Sequence, residues 1–241
     1  MFRRKAILII HGYAGGTYDE EPLANYLELE RSFDVYSFTL PGHDVRDKKK
    51  ATNENWINES ERQIKYLINN GYKKIYVIGH SMGGVIAAYL GSKYKEVKKL
   101  VLVAPAFTCI ASKEAGGLIA AIFKIPDLIK AYSFNEIATR VNKMPLSSEK
   151  EFINLVEDHK NDINNITVPI MFIHGTKDQL VPINSTEKIY ENYKSNKKKL
   201  LVVEDYYHDV FKGEKVELIC KEIKCFLKKR KYRIKEEKKE I

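Results

Sequence analysis

One serine of this 241-residue chain stands in a turn-like sequence, Gly-His-Ser-Met-Gly-Gly, at residues 79–84. An apolar run at 75–78 precedes the turn, and a helix-forming run at 85–90 follows it. A serine on a sharp turn between a strand and a helix is held in a strained backbone conformation with its hydroxyl pointing out of the fold. Gly79 and Gly83 suit such a turn because a Cβ atom at either position would crowd it. The pattern predicts that Ser81 is a nucleophile.

Two residues further along the chain could activate this serine. A serine hydroxyl is a weak nucleophile that needs a base, and the base needs an acid to orient it. Asp178 comes just after an apolar run and a glycine turn, and His208 follows the next apolar run by a few residues. Catalytic triads are known in which the three residues follow one another along the chain in this order: serine, acid, histidine. Because the C-terminal ends of parallel strands meet at one edge of a sheet, we expect Ser81, Asp178 and His208 to lie together there.

The other histidines and the acids beside His208 fit this chemistry less well. Five histidines occupy turns, loops or a polar run, and we expect structural or solvated roles for them: His11, His43, His80, His159 and His174. Asp205 and Asp209 are alternatives to Asp178, since both lie close to His208 in the sequence. A carboxylate so near on the same loop would have difficulty reaching the far ring nitrogen while the other nitrogen faces the serine. We therefore favour Asp178 as the acid.

Negative charge that develops on a substrate carbonyl needs two backbone N–H donors. Met82 follows the nucleophile and opens the predicted helix, where the helix dipole favours an anion. The second donor is expected in the loop after the first strand, at residues 11–16, and Tyr13 is the candidate. The Tyr13 ring has two interpretations, a wall of the substrate pocket or a packing contact.

Six mostly apolar segments predict the strands that position these groups, at residues 6–10, 34–39, 74–78, 99–104, 169–174 and 199–204. Continuous apolar runs are typical of parallel strands covered on both faces. Helical patterns lie between them, at 21–30, 53–69, 82–94, 185–193 and 215–229. This alternation predicts an α/β fold, with an open, mostly parallel sheet and helices on both faces.

The segment from about 106 to 167 is too long for a simple crossover between two strands. We expect it to contain a crossover and a cap inserted over the site. An apolar patch at 118–129 has two interpretations, a cap face that lines an acyl-binding pocket or a surface that packs on the sheet edge. Large exposed apolar patches are otherwise disfavoured.

Five motifs in order along the chain resemble those of the α/β-hydrolase superfamily, in particular the small bacterial carboxylesterases and monoacylglycerol lipases of the serine aminopeptidase S33-like grouping. They are His-Gly-Tyr-Ala-Gly-Gly at 11–16, Leu-Pro-Gly-His at 40–43, the serine motif at 79–84, His-Gly-Thr-Lys-Asp-Gln-Leu-Val-Pro at 174–182, and Tyr-His at 207–208. Asp44 departs from the family pattern, which usually has glycine there. The resemblance implies an α/β-hydrolase fold with six strands in the order 2-1-3-4-5-6.

The same resemblance implies a catalytic triad, an oxyanion hole and ester substrates. The leading hypothesis is hydrolysis of short or medium acyl esters, including monoacylglycerol-like lipids, through an acyl-enzyme and without a metal or organic cofactor. Lysophospholipids, thioesters, amides and acyl transfer use the same residues, and the sequence does not separate them. The alternative from another class is a non-catalytic binding protein of this fold. Such proteins usually lose a triad residue, whereas this chain has all three.

The composition fits one globular domain over residues 1–241. Hydrophobic residues make up 44% of the chain, yet no apolar run approaches the length of a membrane span. The five apolar residues after the basic N-terminus are too few for a signal peptide, so a buried strand is expected there. Cys109, Cys220 and Cys225 show no metal-binding spacing and fit reduced thiols in the cytoplasm.

The net charge of +9 comes largely from the C-terminal segment. A tail from about 230 to 241 mixes Lys and Glu, which is typical of a solvated segment. The alternative is a weak peripheral contact of this tail with anionic membrane, which would help an enzyme to collect lipid substrates. The chain lacks the aromatic–basic interleaving typical of nucleic-acid binding, so the expected partner is a small acyl ester or lipid. The sequence leaves the oligomeric state open.

Overall fold

A parallel sheet forms the centre of the protein. The computed structural model describes residues 5–44, 50–108, 133, 135–136, 140, 144 and 147–241. Within these residues the sheet has seven strands: β1 Lys5–Ile10, β2 Phe33–Phe38, β3 Ile75–His80, β4 Val97–Val103, β5 Ile170–Gly175, β6 Lys198–Val203 and β7 Glu237–Glu240. Their order is β2-β1-β3-β4-β5-β6-β7. Every neighbouring pair runs parallel.

Helices cover both faces of the sheet, as the alternating pattern predicted. The described helices are α1 Glu21–Glu28, α2 Asn53–Asn69, α3 Met82–Lys93, α4 Ser147–His159, α5 Ile183–Asn192 and α6 Val216–Lys228. Helices α1 and α6 pack on one face. Helices α2 to α5 pack on the other. The α/β-hydrolase fold is therefore confirmed, and so is the predicted order of the first six strands.

The alternation of side chains along β1 explains why the sheet is buried on both faces. Ala6, Leu8 and Ile10 belong to the core under α2 and α3. Ile7 and Ile9 belong to the core under α1 and α6. Successive side chains of a strand point to opposite faces, so a continuous apolar run serves both cores. Full burial of each large apolar side chain stabilises the fold by roughly 1.5–3 kcal/mol.

Helix α3 is the most buried of the described helices and holds the serine turn in place. Its first seven residues, from Met82 to Ala88, are all buried, as expected for a helix that is apolar on every side. It packs against β3 and β4 and is covered by α4. Its N-terminus therefore stays at one fixed position above the sheet, directly after β3.

The C-terminal segment differs from the prediction. We expected a six-stranded sheet and a solvated tail at 230–241, but Glu237–Glu240 forms β7 and pairs in parallel with β6. The backbone N–H of Ile241 donates to Val202 O at 3.0 Å. Buried Ile234 anchors the segment to the core.

Ion pairs explain how a strand of charged residues forms here. Lys199 of β6 contacts Glu237 at 3.0 Å, and Lys239 contacts Glu222 of α6 at 2.6 Å. On the opposite face of the strand, Lys238 contacts Glu187 of α5 at 2.8 Å. Glu and Lys have little strand propensity of their own. Tertiary pairing therefore forms this strand, and the sequence pattern could not reveal it.

The predicted cap at 106–167 lies mostly outside the described residues, and so does the apolar patch at 118–129. Helix α4, at the end of that segment, is described and packs against α3 and α2. No helix in the described part of the chain is long and apolar enough to span a bilayer.

Candidate active site

Ser81 occupies the turn between β3 and α3, as the sequence predicted. Its backbone angles are φ 54° and ψ −117°, a conformation that costs a non-glycine residue roughly 1–3 kcal/mol. The surrounding backbone imposes this conformation. The N–H of Ser81 donates to Val103 O at 2.9 Å, and its carbonyl accepts from the N–H groups of Gly84 and Ala106 at 2.9 and 3.1 Å.

The two glycines of the turn are required by close backbone contacts. A Cβ atom at Gly79 would lie 2.1 Å from the carbonyl oxygen of Gly83. A Cβ atom at Gly83 would lie 2.2 Å from the carbonyl oxygen of Ile10. Both distances are far below any real carbon–oxygen contact, so the predicted steric reason for these glycines is confirmed.

The loop after β1 packs directly against the serine. A Cβ atom at Gly12 would lie only 3.1 Å from Cβ of Ser81. The N–H of Leu40 donates to Nε2 of His11 at 2.9 Å, which holds this loop against the segment after β2. Met82 is the first residue of α3. The two predicted oxyanion donors, the N–H groups of Tyr13 and Met82, thus belong to segments that flank Ser81.

The Tyr13 side chain packs against helix α4 rather than standing free. Its ring stacks on Phe152 with the centroids 5.1 Å apart. Its hydroxyl lies 2.7 Å from Oγ of Ser148. Both α4 residues are buried. The predicted packing contact is therefore present, and the exposed part of the ring leaves the pocket-wall interpretation open. The contact also fixes the backbone of the β1 loop beside the serine.

Asp178 and His208 meet at the C-terminal end of the sheet. Nδ1 of His208 lies 2.8 Å from Oδ2 of Asp178, and both side chains are buried, at 4% and 0% exposure. Oδ1 of Asp178 accepts the backbone N–H groups of Leu180 and Val181 at 2.9 Å each. With the Nδ1 proton donated to the carboxylate, Nε2 of His208 is free to accept a proton.

A second imidazole contacts the same carboxylate oxygen. Nε2 of His174 lies 3.0 Å from Oδ2 of Asp178 and 2.9 Å from the carbonyl of Val181. Because a carbonyl only accepts, Nε2 of His174 carries the proton. Nδ1 then accepts from the hydroxyl of Thr186 at 2.8 Å. Burial alone would raise the pKa of Asp178, but His208 and His174 hold it well below its usual range.

Comparison with known families agrees with this geometry. The α/β hydrolase fold family matches residues 5–124. The serine aminopeptidase S33 family matches residues 113–215. The chain belongs to the α/β-hydrolase family. The family matches and the strand order agree with the resemblance seen in the sequence motifs.

Individual relatives of this α/β-hydrolase are similar over most of their length. It is 26% identical to a carboxylesterase of Bacillus subtilis (strain 168), over 93% of each chain. It is 24% identical to a thermostable monoacylglycerol lipase of Bacillus sp. (strain H-257), over 84% of this chain and 82% of the relative. The crystal structure of a Paleococcus ferrophilus monoacylglycerol lipase shares the fold, with a TM-score of 0.71, 21% identity and coverage of 92% and 93%.

The two alternative acids of the α/β-hydrolase contact other groups. Asp205 is exposed and lies 2.9 Å from Nζ of Lys177. Asp209 contacts Arg140 at 3.1 Å. The preference for Asp178 therefore agrees with the geometry, because Asp178 is the carboxylate hydrogen-bonded to the His208 ring.

A buried ion pair that the sequence did not predict joins three of these loops. Nδ1 of His80 lies 2.9 Å from Oε1 of Glu20, and Nε2 lies 3.2 Å from the carbonyl oxygen of His208. Burial alone would lower the pKa of His80, but the Glu20 carboxylate raises it to about 9. Burial raises the pKa of Glu20 to about 7, although His80 acts to lower it. His80 is therefore more than a turn residue, since it connects the serine turn to the base loop.

Further charges surround this pair. Arg140 contacts Asp19 at 2.6 Å and Asp209 at 3.1 Å. Asp209 also lies 3.9 Å from Nε2 of His80. Burial opposes ionisation of Asp209, but His80 and Arg140 keep its pKa below the usual range. The network holds the loop after β1 and the loop after β6 together around the end of β3.

The remaining predicted residues have structural contacts. Nδ1 of His43 lies 3.2 Å from the carbonyl of Pro41. Nδ1 of His159 lies 2.9 Å from Asp162, which replaces the solvated role predicted for it with a defined contact. Cys220 and Cys225 are free thiols, while Cys109 lies outside the described residues.

Proposed function

We propose that this α/β-hydrolase is a serine hydrolase that cleaves carboxylic esters of short or medium acyl chains, including monoacylglycerol-like lipids. The main support is the 2.8 Å contact between Asp178 and His208. Both residues follow strands at the C-terminal end of the sheet, where the strained Ser81 turn also lies. Named relatives that are carboxylesterases and monoacylglycerol lipases add support for ester chemistry.

Each group has a defined part in the proposed reaction. Nε2 of His208 takes the proton of the Ser81 hydroxyl while Oγ forms a bond to the ester carbonyl carbon. Asp178 holds the imidazole by its Nδ1–H and stabilises the charged form. The N–H groups of Met82 and Tyr13 bind the oxyanion, and loss of one such donor typically costs roughly 10²–10³ in rate.

The tetrahedral intermediate then collapses to an acyl-enzyme. The bond from the carbonyl carbon to the ester oxygen breaks, and the leaving alkoxide takes the proton from Nε2 of His208. A water molecule next gives a proton to the same nitrogen and attacks the acyl carbon. The second intermediate breaks its bond to Ser81, which takes back the proton, and a carboxylic acid leaves. Each step balances without a metal or organic cofactor.

The acyl part of the substrate requires an apolar surface near the oxyanion donors. Tyr13 and Phe152 form a stacked aromatic pair beside the β1 loop, and Trp56 packs edge-on against Tyr13 at 6.1 Å. The half-buried Tyr13 ring carries this apolar surface to a position beside the proposed oxyanion donor. We therefore favour acyl esters over small polar esters as substrates.

The test compares Ser81→Ala with Ser92→Ala, which removes a partly buried hydroxyl on α3 that donates to Tyr89 O. Turnover of p-nitrophenyl butyrate and octanoate should fall by several orders of magnitude in Ser81→Ala and stay near the wild-type rate in Ser92→Ala. Retained turnover in Ser81→Ala would contradict the proposal.

A panel of lysophospholipids, acyl thioesters and aminoacyl amides at matched concentrations tests the alternative substrates. Faster turnover of any of these than of the esters would replace the ester assignment.

A further inference from the structure

The two ends of the parallel sheet have different surfaces. Ser81 follows the C-terminal end of β3. Because the described strands are all parallel, the connections that lead from a helix into a strand meet at the opposite end of the molecule. We call that opposite end the basic rim. Exposed cations occur in these connections or at the strand starts, at Arg31, Lys73, Lys74, Lys95, Lys98 and Lys194.

The C-terminal segment adds further charge to the basic rim. Residues 229–235 connect α6 to β7, so they lie at the same end as the other helix-to-strand connections. Their cations are exposed: Lys229, Arg230, Lys231, Arg233 and Lys235. Pairing of β7 with β6 fixes this segment in place. The charge expected on a solvated tail is therefore fixed at the end of the molecule away from Ser81.

Neighbouring cations of the basic rim affect Lys5. Burial and the charges of Lys74 and Lys228 lower the pKa of Lys5, with a smaller opposing effect from Glu30. Glu30 pairs with Lys228 at 2.6 Å. Among the described residues, Lys73, Lys74 and Lys194 have no acidic partner. The basic rim therefore keeps a strong excess of positive charge.

The end of the molecule that holds Ser81 lacks this excess of exposed cations among the described residues. Among the described lysines there, Lys177 pairs with Asp205 at 2.9 Å and Lys212 with Glu136 at 2.7 Å, while Lys50 is exposed. Glu204 and Glu214 are also exposed there. Among the described residues, exposed cations are therefore far more numerous at the basic rim, which points to a partner that contacts that end of the molecule.

Apolar side chains are exposed among the rim cations. Leu29 follows the end of α1 and is 83% exposed. Tyr66 lies in the last turn of α2, at the same end, and is 53% exposed. Exposed apolar residues among Lys and Arg are typical of proteins that bind the headgroup region of a bilayer. Seven strands spaced about 4.8 Å apart make this end roughly 30 Å wide, which suits a flat surface better than the groove of a nucleic acid.

We propose that the basic rim binds the surface of an anionic lipid bilayer. Lysine and arginine side chains contact lipid phosphates, and Leu29 enters the headgroup layer. In this orientation the Ser81 end faces water. The bound enzyme therefore receives esters from the aqueous side, which differs from the expectation that a basic tail would help it to collect lipids from the membrane.

Cosedimentation of the full chain with vesicles tests this proposal. The vesicles are pure phosphatidylcholine, or phosphatidylcholine with about one third phosphatidylglycerol, each at low and high salt. Because Ser81→Ala does not touch the basic rim, this variant should bind as the wild type does, so binding is measured independently of ester hydrolysis. The rim variants are Lys73→Glu with Lys74→Glu, and Leu29→Ser. The matched control is Lys150→Glu with Lys188→Glu, two exposed lysines on α4 and α5.

The proposal expects binding to the anionic vesicles only, weakened by salt. Each charge near an anionic surface changes the partition constant about fivefold, so the double rim variant should bind at least tenfold more weakly. The matched control should bind within about threefold of the wild type. Leu29→Ser should lose most of the binding that remains at high salt. Binding no stronger than to phosphatidylcholine, equal loss in the rim and control variants, or tighter binding to duplex DNA than to the anionic vesicles would each overturn it.

A second measurement tests the orientation. Enzyme bound to anionic vesicles should hydrolyse a water-soluble ester with the kcat and KM of the free enzyme, because the Ser81 end faces water. A large rise in KM on binding would show that the membrane covers the site, and would overturn the proposed orientation.

Discussion

Nε2 of His80 lies 3.2 Å from the carbonyl oxygen of His208. Nδ1 of the same ring faces Glu20. A carbonyl and an ionised carboxylate both accept hydrogen bonds, so when Glu20 is ionised both contacts require an imidazole that carries two protons. The protonated His80 therefore connects the turn of the nucleophile to the main chain of the proposed base, and its charge is held by the buried carboxylate of Glu20.

The stability of the fold should depend on this charge. Since the folded-state pKa of His80 is raised to about 9, its contribution is complete below the unfolded value of about 6.5 and is lost as the pH rises through 9. We expect the contribution of His80 to the free energy of unfolding to fall by about 1–3 kcal/mol between pH 7 and pH 10. Urea unfolding across this range measures the change.

The control for this prediction is Glu20→Gln, which keeps an oxygen acceptor for His80 but removes the charge. The unfolding free energy of the wild type should therefore fall relative to that of this variant by about 1–3 kcal/mol over the same range. The charged groups near His80 are Asp19, Asp209 and Arg140, and the His208 ring packs beside it; all remain in this variant. An equal alkaline fall in both proteins would contradict the role of His80.

The identity of the acid can be tested by two matched substitutions. Asp178→Asn removes the charge that holds the His208 ring and allows the amide to favour the wrong tautomer. We expect kcat/KM for p-nitrophenyl butyrate to fall by about 10³–10⁴. Asp205→Asn changes an exposed side chain and should stay within about threefold of the wild type. A larger loss in Asp205→Asn would move the acid to the loop after β6.

Thr186 should act on the site through His174. Thr186→Val keeps the shape of the side chain but leaves Nδ1 of His174 buried without its donor, which should lower the free energy of unfolding by about 1–3 kcal/mol. The His174 contact to Asp178 weakens as well, so kcat should fall while KM changes little. Thr186→Ser restores the hydroxyl and should recover both quantities. A Thr186→Val protein with wild-type kcat and stability would show that the contact has no effect.

The last strand should contribute to stability although it is composed of charged residues. Removal of residues 236–241 leaves the edge of β6 unpaired and breaks the contacts of Lys199 and Glu222 with β7. We expect a loss of about 1–3 kcal/mol in urea unfolding.

A chain with threonine at all four positions from 237 to 240 separates the two contributions of this strand. It keeps the backbone pairing and loses the ion pairs, so it should be destabilised less than the truncated chain. No loss of stability in the truncated chain would restore the original expectation of a solvated tail.

The sequence predicted those features that depend on local chemistry. Gly79 and Gly83 identify the turn around Ser81 together with the apolar run before them and the helical run after them, and Asp178 and His208 each follow a continuous apolar strand. Such residues reach one edge of the sheet because parallel strands bring their C-terminal ends together.

Features that depend on contacts between distant residues were missed. Glu20 and His80 are 60 residues apart, and nothing near either of them in the sequence predicts a buried pair. Strand β7 is formed by pairing with β6 and by ion pairs to α5 and α6, while its own sequence of Glu and Lys favours solvent.

The central claim is that Ser81 is a nucleophile activated by His208 and Asp178, and covalent labelling with a fluorophosphonate tests it most directly. Intact mass measurement followed by peptide mapping should show one adduct per chain, on Ser81, with labelling slowed at least a hundredfold in His208→Ala and absent in Ser81→Ala. An adduct on another residue, or labelling of the wild type no faster than of His208→Ala, would contradict the account.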